Sequence, residues 1–207
     1  MPSTIFRTIR DRRSVRRYLW TEVSNSVLQR VLDAARWAPS AHNAQPWRFI
    51  VVKHLNVKRR LAEGMAGKWN KDLYRDGTLP EERERLIKAS IKQFTDPPTL
   101  IVVCLTMEDM DKYPDEKRQV AEYVMAVQSV AAAIQNMLLT AHAEGLGACW
   151  FCAPLFCPEV VRESLGISRD IRPQALITLG YPTERLKAPP RKPLESIVYQ
   201  DRWGHCR

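Results

Sequence analysis

Three short segments carry side chains suited to holding a charged, planar small molecule. The first is Arg12-Arg13-Ser14-Val15-Arg16. Guanidinium groups make paired, charge-assisted bonds to phosphate, and a serine hydroxyl adds another donor. Taken alone, the run reads equally as a solvated basic face. The second is Pro39-Ser40-Ala41-His42-Asn43-Ala44-Gln45-Pro46-Trp47, a loop between two prolines. Its small and amide side chains suit hydrogen bonds to a ligand with polar edges, although an ordinary capped loop has the same composition. The third is Gly145-Leu-Gly-Ala-Cys-Trp-Phe-Cys-Ala-Pro154, where glycines let backbone approach a ligand closely. A buried turn is the plain alternative there.

Charge and cysteines narrow the classes. The 207-residue chain has a formal charge of +9. Six arginines fall between Arg7 and Arg17. Such a cluster fits either a nucleic-acid surface or a pocket for a phosphorylated small molecule. Cys149-Trp-Phe-Cys152 has C-x-x-C spacing, but His142 and Cys157 do not complete a zinc pattern. If 149–152 is extended, the two thiols point to opposite faces, which disfavours a disulfide. No apolar run reaches the roughly 18 residues of a membrane span. Met1 to Thr4 lead straight into charged sequence, so no signal peptide is expected and the cytoplasm is the expected location.

The elements that must position these segments can be read from periodicity. A helix is predicted over 4–11, capped by Ser3 or Thr4, and another over 24–38, capped by Ser24 and stopped before Pro39. Residues 47–53 read as a strand, 56–68 and 80–93 as helices, and the polar stretch from Asp72 to Gly77 as a mobile break. The continuous apolar run 99–105 predicts a strand buried on both faces. Steps of three and four from Val120 to Ala141 predict a long helix over 116–143, ended by Gly145 and Gly147. A short strand over 148–151, a helix over 158–165 and a buried strand over 175–179 follow. The final segment, rich in Pro and Lys/Arg, reads as an extended arm over about 185–207, suited to wrapping a second subunit. With 45% hydrophobic residues and no internal linker, one α+β domain is expected.

Together the three segments are far more specific. R-R-S-x-R, then A-P-S-x-x-N-x-Q-P-W, then a late G-L-G-x-x-W resemble the nitroreductase family of flavoenzymes, and Gly180-Tyr-Pro182 and Arg191-Lys-Pro-Leu-Glu195 resemble its C-terminal pattern. The resemblance implies a homodimer with two FMN sites at its interface, a mixed central sheet of four to five strands flanked by helices, a long dimer-core helix and swapped C-terminal arms. It implies that Arg12 and Arg191 hold the FMN phosphate, that Arg13 and Ser14 meet the phosphate and ribityl region, and that Arg16 lies near the pyrimidine ring. Pro39, Ser40, Ala41 and Asn43 would come from the other subunit. The backbone of Trp150, Phe151, Cys152 and Ala153 would face the flavin around N5. A thiol at Cys152 departs from the family's habit.

The resemblance also implies ping-pong hydride transfer from NADH or NADPH to a nitroaromatic, quinone or enone acceptor, with no side chain named as catalytic. Nucleic acid drops out as a partner, because the arginines acquire a phosphate. Two alternatives share the flavin site. One is reduction of a deazaflavin precursor, whose negative charge the basic surface would steer. The other is a flavin carrier without turnover. Relatives that consume their flavin to make a benzimidazole resemble R-R-D where this chain has Arg13-Ser14.

Overall fold

The computed structural model describes residues 4–204; the expected Ser3 cap and Cys206 lie outside them. Four strands form the centre: β1 (Trp47–Val52), β2 (Thr99–Leu105), β3 (Gly147–Phe151) and β4 (Arg172–Gly180). Their order is β1-β2-β4-β3, with every neighbouring pair antiparallel. The mixed character expected of the sheet is therefore confined, among the described residues, to one parallel bridge between Ser14 and Ala148.

β2 explains the rest of the packing. All seven of its residues are buried. Ile101, Val103 and Leu105 face one apolar cluster, and Leu100, Val102 and Cys104 face another. Strand side chains alternate, so a strand sandwiched between two layers must be apolar throughout. The first layer is α2 (Asn25–Arg36) and α5 (Glu116–Ala143); the second is α3 (Leu55–Arg75), α6 (Pro158–Leu165) and Phe94 of α4 (Pro80–Thr95). α1 (Thr4–Asp11) lies outside both layers and buries none of its residues.

Helix ends follow local chemistry. The Ser24 hydroxyl accepts from the Val27 N–H at 3.4 Å, and Pro80 opens α4 ahead of Glu81 and Glu82. α3 runs further than its apolar pattern predicts, through Asp72 to Arg75. The polar residues read as a break are its solvated face, tied by a Lys68–Asp72 pair one turn apart at 2.7 Å. Gly77, at φ 76°, follows its end in the left-handed conformation.

α5 spans the predicted range, but its buried face is the predicted one only from Val130 onward. Glu122, Ala126, Ser129 and Ala133 are buried beside Val130, Ile134, Met137, Leu138 and Ala141, whereas Val120 and Val124 are exposed. Small residues face inward because the helix lies close against the sheet and α2. Among the described residues α5 is the one helix long and apolar enough to cross a membrane, with a mean hydropathy of 1.4. Its contacts make it a core helix of this fold instead.

The arginine segment enters at Gly147. A Cβ built there would sit 2.7 Å from two Val15 side-chain atoms. Gly147→Ala should therefore push 14–16 off the sheet and cost about 1–3 kcal/mol, as overpacking does. Gly67, in α3 with nothing within 4 Å of its Cβ, is the control. Gly67→Ala should be neutral or stabilising, and thermal unfolding of both variants checks the pair.

Candidate active site

α1 ends at Asp11, and Arg13 closes it. Arg13 Nη1 donates to the carbonyls of Arg10 at 2.6 Å and Arg12 at 2.8 Å. Its Nε is buried without a hydrogen-bond partner among the described residues. The chain then runs beside the sheet. The Val15 N–H donates to the Ala148 carbonyl at 3.0 Å, and the Leu19 N–H donates to the Tyr181 carbonyl at 2.8 Å. Tyr18 fixes the stretch between them: its hydroxyl donates to the Val15 carbonyl and lies 2.6 Å from Thr178 Oγ1. Burial raises the Tyr18 pKa well above the usual phenol range. No motif pointed to Tyr18; the signal was only its place just after the arginines.

This seam collects positive charge at one end of the molecule. Burial first, and then the charge of Arg191, lower the proton affinity of Arg12. His142, near the C-terminal end of α5, is likewise lowered by burial; Asp11 opposes that shift, and Arg12, Arg13 and Arg185 add to it. Arg185 is a cation that motif reading missed. Arg12 thus lies within electrostatic reach of Arg13 and Arg191, the residues that the resemblance assigns to the phosphate. Ser14 hydrogen-bonds the buried Cys149 thiol, whose pKa is raised chiefly by burial and drawn down by Arg16, Ser14 and Arg12. The Arg16 guanidinium lies 5.8 Å from the centre of the Phe151 ring.

Beyond Phe151 the β3–β4 ladder ends, and Cys152 and Ala153 open onto a cavity of about 470 Å³. Met65, Trp69, Phe94 and Phe156 give it apolar and aromatic walls, and the Lys68–Asp72 pair gives it a polar one. Phe94 and Phe151 meet edge to face, 5.3 Å between centres. Met65, Lys68, Trp69, Asp72 and Phe94 come from 55–95, where the sequence offered no motif. Cys149 is buried and Cys152 exposed, and both are free thiols, in keeping with opposite-facing side chains.

The second predicted segment lies elsewhere in the same chain. The Ala41 N–H donates to Ser129 Oγ at 3.1 Å, and the Gln45 N–H donates to Ser40 Oγ at 3.1 Å. His42 Nε2 lies 3.3 Å from Glu122 Oε1. His42, Asn43 and Gln45 all have left-handed backbone, at φ 55°, 52° and 47°. The loop holding Pro39, Ser40, Ala41 and Asn43 therefore rests on the N-terminal half and middle of α5. His142 is 20 residues past Glu122. At 1.5 Å per residue the arginine end is roughly 20–30 Å away along the helix.

The Nitroreductase family model matches residues 9–181. A protein of Archaeoglobus fulgidus, provisionally named NADH dehydrogenase/NAD(P)H nitroreductase, is 32% identical over 180 residues, which is 85% of this chain and 84% of that one. The structure of a Desulfovibrio desulfuricans protein, provisionally described as a nitroreductase and in complex with FMN, shares 25% identity at a TM-score of 0.74, covering 98% and 99% of the two chains. A BluB-like flavoprotein from Clostridium difficile shares 27% at a TM-score of 0.77, covering 95% and 98%. A family match over that span, with a relative above 30% identity across most of its length, makes this chain a member of the Nitroreductase family and an oxidoreductase.

Proposed function

We propose that the chain, as a single domain with a C-terminal arm, binds FMN and uses NADH or NADPH to reduce an electron-poor nitroaromatic, quinone or enone. The observation that carries this reading is the meeting of Arg12 with Arg13 and Arg191 near the start of β3, the strand whose other end opens on the aromatic cavity. Like charges brought together call for an anion, and the orphaned Arg13 Nε is one buried donor aimed at none. The residues present fit a mononucleotide phosphate, and the sequence holds no G-x-G-x-x-G for a dinucleotide.

Bound FMN supplies the hydride chemistry. The chain's own residues bind and orient. Arg12 and Arg191 hold the phosphate, with Arg13 and Ser14 at the phosphate and ribityl end. Arg16, already beside Phe151, places a positive charge along the flavin edge, which favours added electron density. The backbone from Trp150 to Ala153 offers N–H groups where the ladder stops. Trp69, Phe94 and Phe156 give a flat acceptor apolar walls and exclude water from the reacting face. The basic surface also favours an anionic acceptor, and a deazaflavin precursor is the second reading; an acceptor screen separates the two.

Distance supports a homodimer. Ser40 and Asn43 cannot reach the arginine end of their own chain, so they serve the site of a second protomer. Exposed apolar surface supports this: Ile5 and Ile9 of α1, Val120 and Val124 of α5, and Leu194 and Ile197 of the arm face solvent. The buried free cysteines and the nicotinamide donor suit the cytoplasm.

Mass analysis of the flavin released on denaturation should find FMN; FAD, or no flavin after reconstitution, would sink the reading. Arg12→Ala and Arg191→Ala should each weaken FMN roughly ten- to a hundredfold, from about 1.5–3 kcal/mol of charge-assisted bonding. Titration of apoprotein checks this, and two unchanged dissociation constants would remove the phosphate site. Light scattering should give a dimer, and deletion of 190–207 should lose flavin and stability together. Steady-state kinetics with one quinone should leave Cys152→Ala near wild-type turnover, because its thiol has no assigned chemical step. A hundredfold loss with flavin retained would give the thiol one. Cys149→Ala should cost stability rather than turnover.

A further inference from the structure

The turn before β1, the loop after β2 and the first third of α5 meet at three side chains that the proposed flavin site does not use. His42 Nε2 lies 3.3 Å from Glu122 Oε1 and 3.9 Å from Asp111 Oδ2. One donor atom from each of the three residues lies within 4.8 Å of the others. Glu122 is 2% exposed, and its Oε2 has no hydrogen-bond partner among the described residues. A carboxylate oxygen shut away from water needs a donor or a cation. The imidazole reaches this place on a residue with left-handed backbone, at φ 55°.

We propose that His42, Asp111 and Glu122 form a three-ligand site for a divalent transition-metal ion of the zinc type, which staples the 39–46 loop to α5. The donor spacing suits such an ion. With bonds of about 2.0–2.2 Å, adjacent ligand atoms stand roughly 3.0–3.6 Å apart, so side-chain shifts below an ångström complete the geometry. One imidazole and two carboxylates favour zinc-type ions over Mg²⁺ and Ca²⁺, which prefer oxygen donors throughout. The His42 and Asp111 side chains are 42% and 56% exposed, leaving one side of the site open to water and to the entering ion. The Glu122 carboxylate, fixed on α5, is the anchor. A metal here would hold in place the loop that carries Ser40 and Asn43. The site rests on its own three residues and stands whether or not the chain binds FMN.

The test uses the purified protein without a histidine tag, its exposed thiols blocked by iodoacetamide and adventitious metal removed with EDTA and dialysis. ZnCl₂ is titrated calorimetrically, with MgCl₂ as a second arm, and melting is followed with and without Zn²⁺. The expected result is one Zn²⁺ per chain and a rise in Tm on loading. Binding should weaken at least tenfold in Asp111→Asn and His42→Ala, whose exposed positions spare the fold, and in Glu122→Gln. Three results overturn the proposal: no saturable binding in the wild type, unchanged affinity in Asp111→Asn and His42→Ala, or Mg²⁺ binding as tightly as Zn²⁺. The first two would leave His42 and Glu122 as a hydrogen-bonded pair and nothing more.

Discussion

Guanidinium groups repel one another, and a chain that gathers them must hold them by something other than themselves. Here the holding is done by backbone. Val15 bonds Ala148, Leu19 bonds Tyr181, and the Tyr18 hydroxyl spans to Thr178. These few contacts lay residues 14–19 along β3 and β4, and Gly147 leaves room for Val15 to come that close. Arg13 bonds back to the end of α1, so the turn into the seam is fixed as well. The backbone that carries Arg13, Ser14 and Arg16 is thus held in place before any anion arrives, which lowers the ordering that binding must supply.

The second constraint is the length of α5. A helix of 28 residues is about 42 Å long and carries each half of the proposed site on a different stretch. The loop with Ser40 sits on Ser129, and the arginines gather near His142. Both halves are well formed, yet one chain cannot close them on each other. In the proposed dimer, antiparallel pairing of two such helices would bring the beginning of one beside the end of the other.

Much of this was legible in the sequence, for identifiable reasons. β2 could be read because a strand between two apolar layers is apolar almost throughout, and α5 because it keeps its period over about six turns. The arginine and Gly-Leu-Gly segments were legible because their residue types are rare in combination. What stayed hidden depends on partners distant in the chain. Asp72 reads as a break until Lys68 is seen one turn earlier on the same helix. Nothing in the sequence marks Glu122 as a buried carboxylate. The cavity walls Trp69 and Phe94 belong to helices whose sequence says only that they are amphipathic. A site made of shape leaves no motif.

The loop before β1 has a consequence for the order in which the molecule comes together. Its three non-glycine residues with left-handed backbone each cost on the order of 1–3 kcal/mol, so the isolated segment does not hold this shape. It takes the shape only after Ser129 and Glu122 are presented by a docked α5. In folding, the loop is therefore a late arrival. In the native state its opening leaves the sheet intact and needs less free energy than global unfolding. Amide exchange at 41–45 then reports on the loop's grip on α5 alone, a local clock inside an otherwise cooperative chain.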